Sequence, residues 1–440
     1  MRKTRVKKLS VLTAGCRLNQ YDSEKMATQL APYGFERVAR GEKADLYLIN
    51  TCTVTHRADS SSRYLINRAV RENPEGRIVV VGCYVDSDPD RIAGMEGVDV
   101  LLNNQQKEEI GKLLPQLLPS LFDEGVEPKN GCSDTIHDFF RHNRAWIKIS
   151  DGCNQRCSFC IIPSVRGGLV NRPVGEIIEE INNLVTQGFE EVVLTGVNIG
   201  YYRQRESEPR LADLGALVHM ILSNTDLKRM RISSIEPQTV TDDLLSVCAD
   251  AGKRVCSHWH LPLQSGSSRL LKLMNRPYSE SVYLDRVKAI KQAIANVVIG
   301  ADIIVGFPSE TDDDFLQSRL VAENELIDYL HVFSYSDRSG TKSAEMTERV
   351  KTETVKERNA ILTEISNQHR SRAMARQVGR EVGVISEFGK ADGRHHAGIT
   401  DNFLKVRLPD GIKSSRKIIR FSVNGSEDDY MTGRIIVDGG

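Results

Sequence analysis

Cys153, Cys157 and Cys160 form a C-x3-C-x2-C run, Cys-Asn-Gln-Arg-Cys-Ser-Phe-Cys, directly after a strand-like stretch at 145–150. Soft cysteine sulfur suits iron–sulfur ligation, and three closely spaced thiolates can hold three corners of a four-iron cluster. No fourth cysteine follows locally, so one iron stays open for an exogenous ligand. A purely structural cluster would favour full ligation. The open corner therefore points to chemistry on a bound molecule.

Cys16, Cys52 and Cys83 make a second set, dispersed along the chain rather than run together. Each follows a short β-rich run, at 9–13, 45–49 and 77–81, and helical stretches at 22–30 and 58–72 lie between the runs. That alternation argues for a parallel α/β sheet, whose strands bring their carboxyl ends to one edge, where such folds build sites. A single cysteine there reads most simply as a small core residue. Three at equivalent strand ends, each beside Gly or Thr, point to a shared metal centre. Tetrahedral zinc is the rival; it wants a fourth Cys or His, and His56 is the nearest candidate.

The elements that must position these residues fall into segments. A chain of 440 residues has room for about three domains. Lys+Arg and Asp+Glu both number 59, so net charge argues neither for nor against nucleic acid, and any basic surface must be local. Nine cysteines, an odd number, do not resemble the disulfide framework of a small secreted domain. The basic start (Arg2, Lys3, Arg5, Lys7, Lys8) precedes only a short apolar stretch, unlike a signal peptide, and no apolar run is long enough to span a bilayer. A reducing cytoplasm is the expected location.

Residues 1–125 form the expected α/β unit and 126–144 a linker, with a turn at 128–131 and an unpartnered Cys132. Across 145–370, strands are expected at 145–150, 191–195, 229–233, 258–263, 299–305 and 329–334, with helices between them, for example at 175–186 and 279–295. Six βα units make a partial (β/α)6 TIM-like barrel, with the cysteine run on its carboxyl face. Strand ends there carry Asn198, Ser234, Gln264 and Gly306. Each alone reads as a turn residue; their recurrence at one end of successive strands suits a polar cofactor. Residues 371–440 read as a small β-barrel, with strands at 381–385, 402–408, 417–421 and 433–437 and turns at Pro409-Asp-Gly411 and Asn424-Gly425. From residue 370 on, thirteen Lys/Arg face nine Asp/Glu, beginning with Arg370, Arg372, Arg376 and Arg380. Phe403, Lys405 and Arg407 alternate along one expected strand and share a face that suits RNA.

With both cysteine triads in place, the chain resembles the methylthiotransferases of the radical S-adenosylmethionine (SAM) superfamily over nearly its full length. The matches include Ala14-Gly-Cys-Arg-Leu-Asn-Gln-Tyr-Asp-Ser23, Ile49-Asn-Thr-Cys-Thr-Val-Thr55, Gly82-Cys-Tyr84 and Asp151 through Pro163. Leu261-Pro-Leu-Gln-Ser-Gly-Ser267, Met274-Asn-Arg276 and Asp302-Ile-Ile-Val-Gly-Phe-Pro308 extend them. The resemblance implies that Cys153, Cys157 and Cys160 hold a [4Fe-4S] cluster that chelates SAM. It implies that Cys16, Cys52 and Cys83 hold an auxiliary [4Fe-4S] cluster carrying the sulfur to be inserted. One SAM would methylate that sulfur, and a second would give the 5′-deoxyadenosyl radical that activates a C–H bond. The product would be a methylthio group at C2 of a modified adenine in tRNA, with the C-terminal barrel as a tRNA-binding TRAM domain.

On this reading Asn198, Ser234 and Gln264 are candidate SAM contacts. Arg166 and Arg172 are candidates for RNA phosphate or a charged base substituent. An electron donor of flavodoxin or ferredoxin type is the expected protein partner. Thr-Val-Thr after Cys52 is similar to the MtaB-type enzymes acting on N6-threonylcarbamoyladenosine; the group acting on isopentenyladenosine shows Ala-Val-Arg there. A third group modifies a ribosomal-protein aspartate, and the basic C-terminal segment counts against it. Asn171 and Ser309 depart from the family, where Ser and Gly are usual. Two other classes remain open: a non-catalytic iron–sulfur RNA-binding redox sensor, and a radical SAM methyltransferase without sulfur insertion.

Overall fold

The computed structural model describes residues 6–122, 135–205, 211–390, 396–409, 412 and 415–436. The turn at 128–131, Cys132, residues 410–411 and Val437 lie outside the described residues.

Strands β1 (Lys7–Thr13), β2 (Phe35–Arg37), β3 (Leu46–Thr51), β4 (Arg77–Gly82) and β5 (Val100–Leu102) form one parallel sheet, in the order β2-β1-β3-β4-β5. Its central strand β3 is buried along its whole length, as a parallel strand covered on both faces must be. Leu46 and Leu48 face one apolar cluster, and Tyr47 and Ile49 the other. Helix α1 (Arg17–Leu30) follows β1, α2 (His56–Glu72) follows β3, and the short α3 (Cys83–Ser87) follows β4. The Thr55 side chain caps α2 by accepting from the Ala58 N–H. β2 and β5, each of three residues, were too short to show a period in sequence.

The second unit carries six parallel strands: β6 (Ala145–Lys148), β7 (Glu191–Thr195), β8 (Arg229–Ile232), β9 (His258–His260), β10 (Val298–Val305) and β11 (Tyr329–Ser334). They pair as β8-β7-β6 and β9-β10-β11, and an isolated bridge from Met230 to Val255 joins the two triplets. The result is an open six-stranded barrel over one large apolar core. Helix α4 (Ile162–Arg166) lies between Cys160 and β7, followed by α5 (Val174–Thr186). The expected linker does not stay outside this unit, because Ile136 and Phe139 are fully buried in the barrel core. Ser309 adopts φ +67°, a left-handed conformation that glycine takes without strain, which gives a backbone reason for the family's glycine there.

Helix α6 (Thr352–Ala375) leads on without a break at residue 370. A closed barrel follows, made of β12 (Glu381–Lys390), β13 (His396–Thr400), β14 (Lys405–Leu408), β15 (Ile419–Glu427) and β16 (Tyr430–Ile435) in the order β12-β13-β14-β16-β15. Asn424-Gly425 is not the turn its sequence suggests. It sits at a register shift inside β15, and the reversal comes at Asp428, with φ +51°.

Candidate active site

Cys16 is the N-cap of α1, Cys52 directly follows β3, and Cys83 opens α3. All three therefore meet at the carboxyl edge of one sheet. Gly15 (φ +95°) makes this possible: a Cβ there would lie 2.6 Å from Cys52 Cβ and 2.8 Å from its Sγ. Asn19 donates to the carbonyls of Ala14 (2.8 Å) and Thr51 (2.9 Å), tying two cysteine loops together. The Tyr84 N–H donates to Thr51 Oγ1 at 3.3 Å and ties in the third. The N-terminus of α1 adds positive dipole beside the thiols.

The second triad sits between β6 and α4. Backbone donors fix its loop: Cys153 N to Gly167 O (3.1 Å), Ser158 N to Met274 O (3.0 Å) and Cys160 N to Cys157 O (3.1 Å). Side chains donate to the sulfurs themselves. Arg276 reaches Cys157 Sγ at 3.0 Å, Asn198 reaches Cys153 Sγ at 3.6 Å, and Asn104 reaches Cys83 Sγ at 3.5 Å. Donors aimed at cysteine sulfur stabilise anionic ligation and set cluster potential.

Among the described residues, neither triad brings its three Sγ atoms within 4.8 Å of one another. A single tetrahedral zinc, with Zn–S near 2.3 Å, would need them about 3.8 Å apart. A four-iron cluster, which spreads its ligands over separate irons, fits both triads better. His56 does not complete a zinc site: among the described residues it joins no set of three ligand atoms within 4.8 Å of one another, and its Nδ1 meets Arg338. Burial pushes the Cys52 and Cys160 thiols up to about 12, so metal must displace their protons. Asn198 Oδ1 and Ser158 Oγ are buried without a hydrogen-bond partner, as expected where a polar cofactor completes the site.

Packing brings the loop of Cys83 against the segment that follows the second triad. Cys83 lies against Ile161 and Val165, on the segment that follows Cys160. Asn104, which donates to Cys83, also donates to Val165 O at 2.7 Å. Asp22 on α1 pairs with Lys107 (2.6 Å), with Lys148 on β6 (2.9 Å) and with Arg166 at the end of α4 (3.2 Å). Burial alone would raise its carboxyl, but Lys107, Lys148 and Arg166 together hold it well below the usual carboxylate range. A cavity of about 260 Å³ is lined by Cys160 of the second triad, by Val54 and Thr55 just beyond Cys52 of the first, and by Phe159, Gln264 and Phe333, among others.

Several sequence expectations need correction. The Arg166 side chain is 2 % exposed, held by Asp151 (2.9 Å), Asp22 and Asn19, because α4 turns it inward. Arg172 donates to Glu180 (2.7 Å), Tyr21 Oη and Lys148 O. Both arginines join the two units through internal partners, which the sequence reading did not foresee. Phe403 is not on a strand. It takes φ +66° before β14 and its ring stacks on His258 at 4.5 Å, between Arg17 and Arg231. Lys405 and Arg407 do share the outer face of β14, both beside the Tyr430 ring, although Arg407 also pairs with Glu427 at 2.7 Å. Gln264 lines the cavity, whereas Ser234 is exposed in the loop after β8. Asn171 donates to Arg203 O and so braces a neighbouring loop. Cys248 and Cys256 are core residues, 3 % and 1 % exposed. Arg276, Asn104 and Asp22 went unassigned in sequence, since nothing local marks an Arg or Asn that reaches a sulfur many residues away.

A cysteine triad with an open corner at the mouth of a partial parallel barrel defines a radical SAM enzyme, here joined to a second cysteine centre on a separate α/β unit. Comparisons agree. Residues 147–320 match the Radical SAM superfamily, and residues 8–103 match the family described as Uncharacterized protein family UPF0004. The chain is 34% identical over 437 residues to the threonylcarbamoyladenosine tRNA methylthiotransferase MtaB of Bacillus subtilis, covering 96% of this chain and 95% of that one. It is 32% identical over 445 residues to the tRNA-2-methylthio-N(6)-dimethylallyladenosine synthase of Oceanobacillus iheyensis, covering 98% and 84%. In fold it is similar to the radical SAM methyltransferase TsrM of Kitasatospora setae, with TM-score 0.57 and 13% identity over 77% of this chain and 74% of that one. The chain belongs to the radical SAM family of tRNA methylthiotransferases, whose cofactors are SAM and [4Fe-4S] clusters. No helix among the described residues is long and apolar enough to cross a membrane.

Two predictions follow from this geometry. Gly15→Ala should push the Cys16 loop off Cys52 and lower iron bound at the first triad while the second still loads; iron and sulfide assays against a Cys153/Cys157/Cys160 triple alanine variant separate the two. Asp22→Asn should cost on the order of 3–5 kcal/mol, because it leaves buried cations uncompensated; denaturant unfolding of the metal-free protein measures this.

Proposed function

We propose that this enzyme methylthiolates C2 of N6-threonylcarbamoyladenosine beside the tRNA anticodon. The observation that carries the reading is the place of Val54 and Thr55 on the cavity wall, two and three residues beyond Cys52. Thr53 and Thr55 are where the resemblance separates the threonylcarbamoyl group from the isopentenyl group; Thr53 is buried, and Thr55 lines the space a substrate would enter. The MtaB relatives from Bacillus subtilis and Chlamydia pneumoniae, each 34% identical, support the same substrate. The apolar members of the wall, Val54, Ile304 and Phe333, suit a dimethylallyl substituent as well, which keeps isopentenyladenosine as the second reading.

An aromatic C2–H has no useful acidity and no leaving group, so the clusters and SAM, when bound, supply the radical and the sulfur. The chain positions and shields. Cys153, Cys157 and Cys160 hold one cluster and Cys16, Cys52 and Cys83 the other. Asn198 and Arg276 donate to the sulfurs of Cys153 and Cys157; Gln264 and Ser234 stand at strand ends where SAM would lie. Phe159, Phe307 and Tyr335 pack edge to face behind the cavity and exclude water. Lys405 and Arg407 offer charge to tRNA phosphates. Residues 1–125, 145–370 and 371–440 then serve as sulfur-donor, radical and RNA-binding units. A flavodoxin- or ferredoxin-type protein supplies electrons, in the cytoplasm.

Nucleoside mass spectrometry of tRNA after anaerobic incubation with reconstituted enzyme, SAM and reductant tests this. Threonylcarbamoyladenosine should fall as its methylthio derivative rises, and Cys16→Ala should still cleave SAM yet form no such product. Gain of the methylthio isopentenyl derivative instead would overturn the substrate, and methylthiolation by Cys16→Ala would overturn the role of the first triad.

A further inference from the structure

Helix α2 presents a basic outward face. Its 17 residues include four arginines, Arg57, Arg63, Arg68 and Arg71, against two acids, Asp59 and Glu72. Both acids are occupied: Asp59 is buried against Arg338 at 2.7 Å, and Glu72 pairs with Arg68 at 2.6 Å. Arg63 turns sideways onto Tyr84 Oη at 2.7 Å. Arg57, Ser61, Tyr64, Arg68 and Arg71 follow the three- and four-residue spacing of one helical face. The exposed side chains of Arg57 and Arg71, and of Arg40 in the loop beyond β2, take no ion-pair or hydrogen-bond partner among the described residues. In a chain of zero net charge this is a local excess of cation.

Two further features narrow what such a face can hold. Tyr64, in the middle of the stripe, is 55% exposed. Arg40, Arg57, Ser61 and Tyr64 line an open groove of about 460 Å³, whose wall includes Ala14, two residues before Cys16. Cations, a hydroxyl and one open ring are the groups RNA takes: Arg and Ser for phosphate oxygens, Tyr for the face of a base. An acidic protein surface would use the charges and leave the ring idle. From Arg57 to Arg71 the stripe runs about 20 Å at the helix rise, room for several nucleotides of one strand.

The helix is held firmly where it starts. Thr55 accepts from the Ala58 N–H at 3.1 Å, and the His56 N–H donates to Ser336 Oγ of the barrel at 3.1 Å. Thr55 and Ser336 both line the cavity of about 260 Å³. The basic face therefore begins at the edge of that cavity and leads away along the first unit.

We propose that the outward face of α2 is a second RNA-contact surface. Arg40, Arg57 and Arg71 hold phosphates of the anticodon stem-loop, and Tyr64 stacks on an unpaired base other than the reacting one. The inference rests on the RNA reading above and adds a surface on the first unit to the one on the C-terminal barrel. Phosphate contacts fix register without reading sequence, so this face orients the RNA and leaves the choice of base to other residues.

The test uses the reconstituted enzyme and a fluorescent anticodon stem-loop that carries threonylcarbamoyladenosine. Replacing Arg40, Arg57 and Arg71 together by Gln should weaken binding at least about tenfold and lower the slope of log Kd against log salt by about 2, the loss of three single-strand phosphate contacts. Tyr64→Leu should weaken binding at least about fivefold with the slope unchanged, and Tyr64→Phe should restore it. In turnover these variants should raise KM while kcat stays within about twofold, with iron content as the check on folding. Wild-type affinity in the triple variant or in Tyr64→Leu overturns the proposal. So does a defect that appears when a flavodoxin supplies the electrons and vanishes with dithionite, since the face would then serve an acidic electron donor. Either result leaves the tRNA reaction standing. A wild-type enzyme that neither binds the stem-loop nor forms a methylthio nucleoside removes that reading, and the surface with it.

Discussion

Asp22 is a buried carboxylate, about 2 % exposed, on the helix that Cys16 opens. It meets Lys107 from its own unit, Lys148 from the strand before the second triad and Arg166 from the helix after it. A buried charge is tolerated only when it is paired, and one removed from such a set leaves the others stranded at several kcal/mol. The position of one cysteine centre relative to the other therefore depends on this ion cluster. Arg172 and Glu180, joined through Tyr21, extend it along α5. Across the open side of the barrel, Arg338 after β11 binds Thr53 O and Asp59 beside Cys52. The first unit is thus fastened to both edges of an incomplete barrel, and the cavity beside the triads is fixed by the same contacts.

The third unit is attached by different means. Arg229 and Arg231 on β8 share buried Glu191 and donate onward to the carbonyls of Gly383, Thr400 and Asp401. Burial would raise the Glu191 carboxyl, but Arg229, Arg231 and Arg144 outweigh it and bring it to about 2, so this joint stays charged at any physiological pH. Phe403 closes it by stacking on His258. The small barrel is tied to the radical barrel through backbone carbonyls, so the outward side chains of β14 take no part in the joint.

Much of this was legible in the chain. Cys16, Cys52 and Cys83 could be grouped because each closes a β-rich run and parallel alternation gathers such ends on one edge, while Cys153, Cys157 and Cys160 are grouped by their local spacing. The six barrel strands were marked by β-rich runs bounded by turn signals and helical stretches; β2 and β5, three residues each, had no such run. What sequence did not give was direction. Arg166 and Arg172 stand close to the second triad, yet they turn back into Asp22, Asp151 and Glu180, all remote in sequence or on another element. Phe403 seemed to alternate with Lys405 and Arg407, but it is itself left-handed and the strand begins only at Lys405. Arg276 and Asn104 serve cysteines 119 and 21 residues away, contacts that only the assembled fold discloses.

The central claim is that the two cysteine triads each hold a four-iron centre with an open iron, in neighbouring units fastened together by buried ion pairs. Electron paramagnetic resonance of the anaerobically reconstituted, reduced enzyme tests it most directly. Spectra should show two clusters, about eight irons per chain, broadened by mutual spin coupling, with SAM altering the signal of Cys153, Cys157 and Cys160 alone. Alanine replacement of either triad should leave the other signal sharp. Two independent, uncoupled signals, or a first triad that holds zinc, would contradict the account.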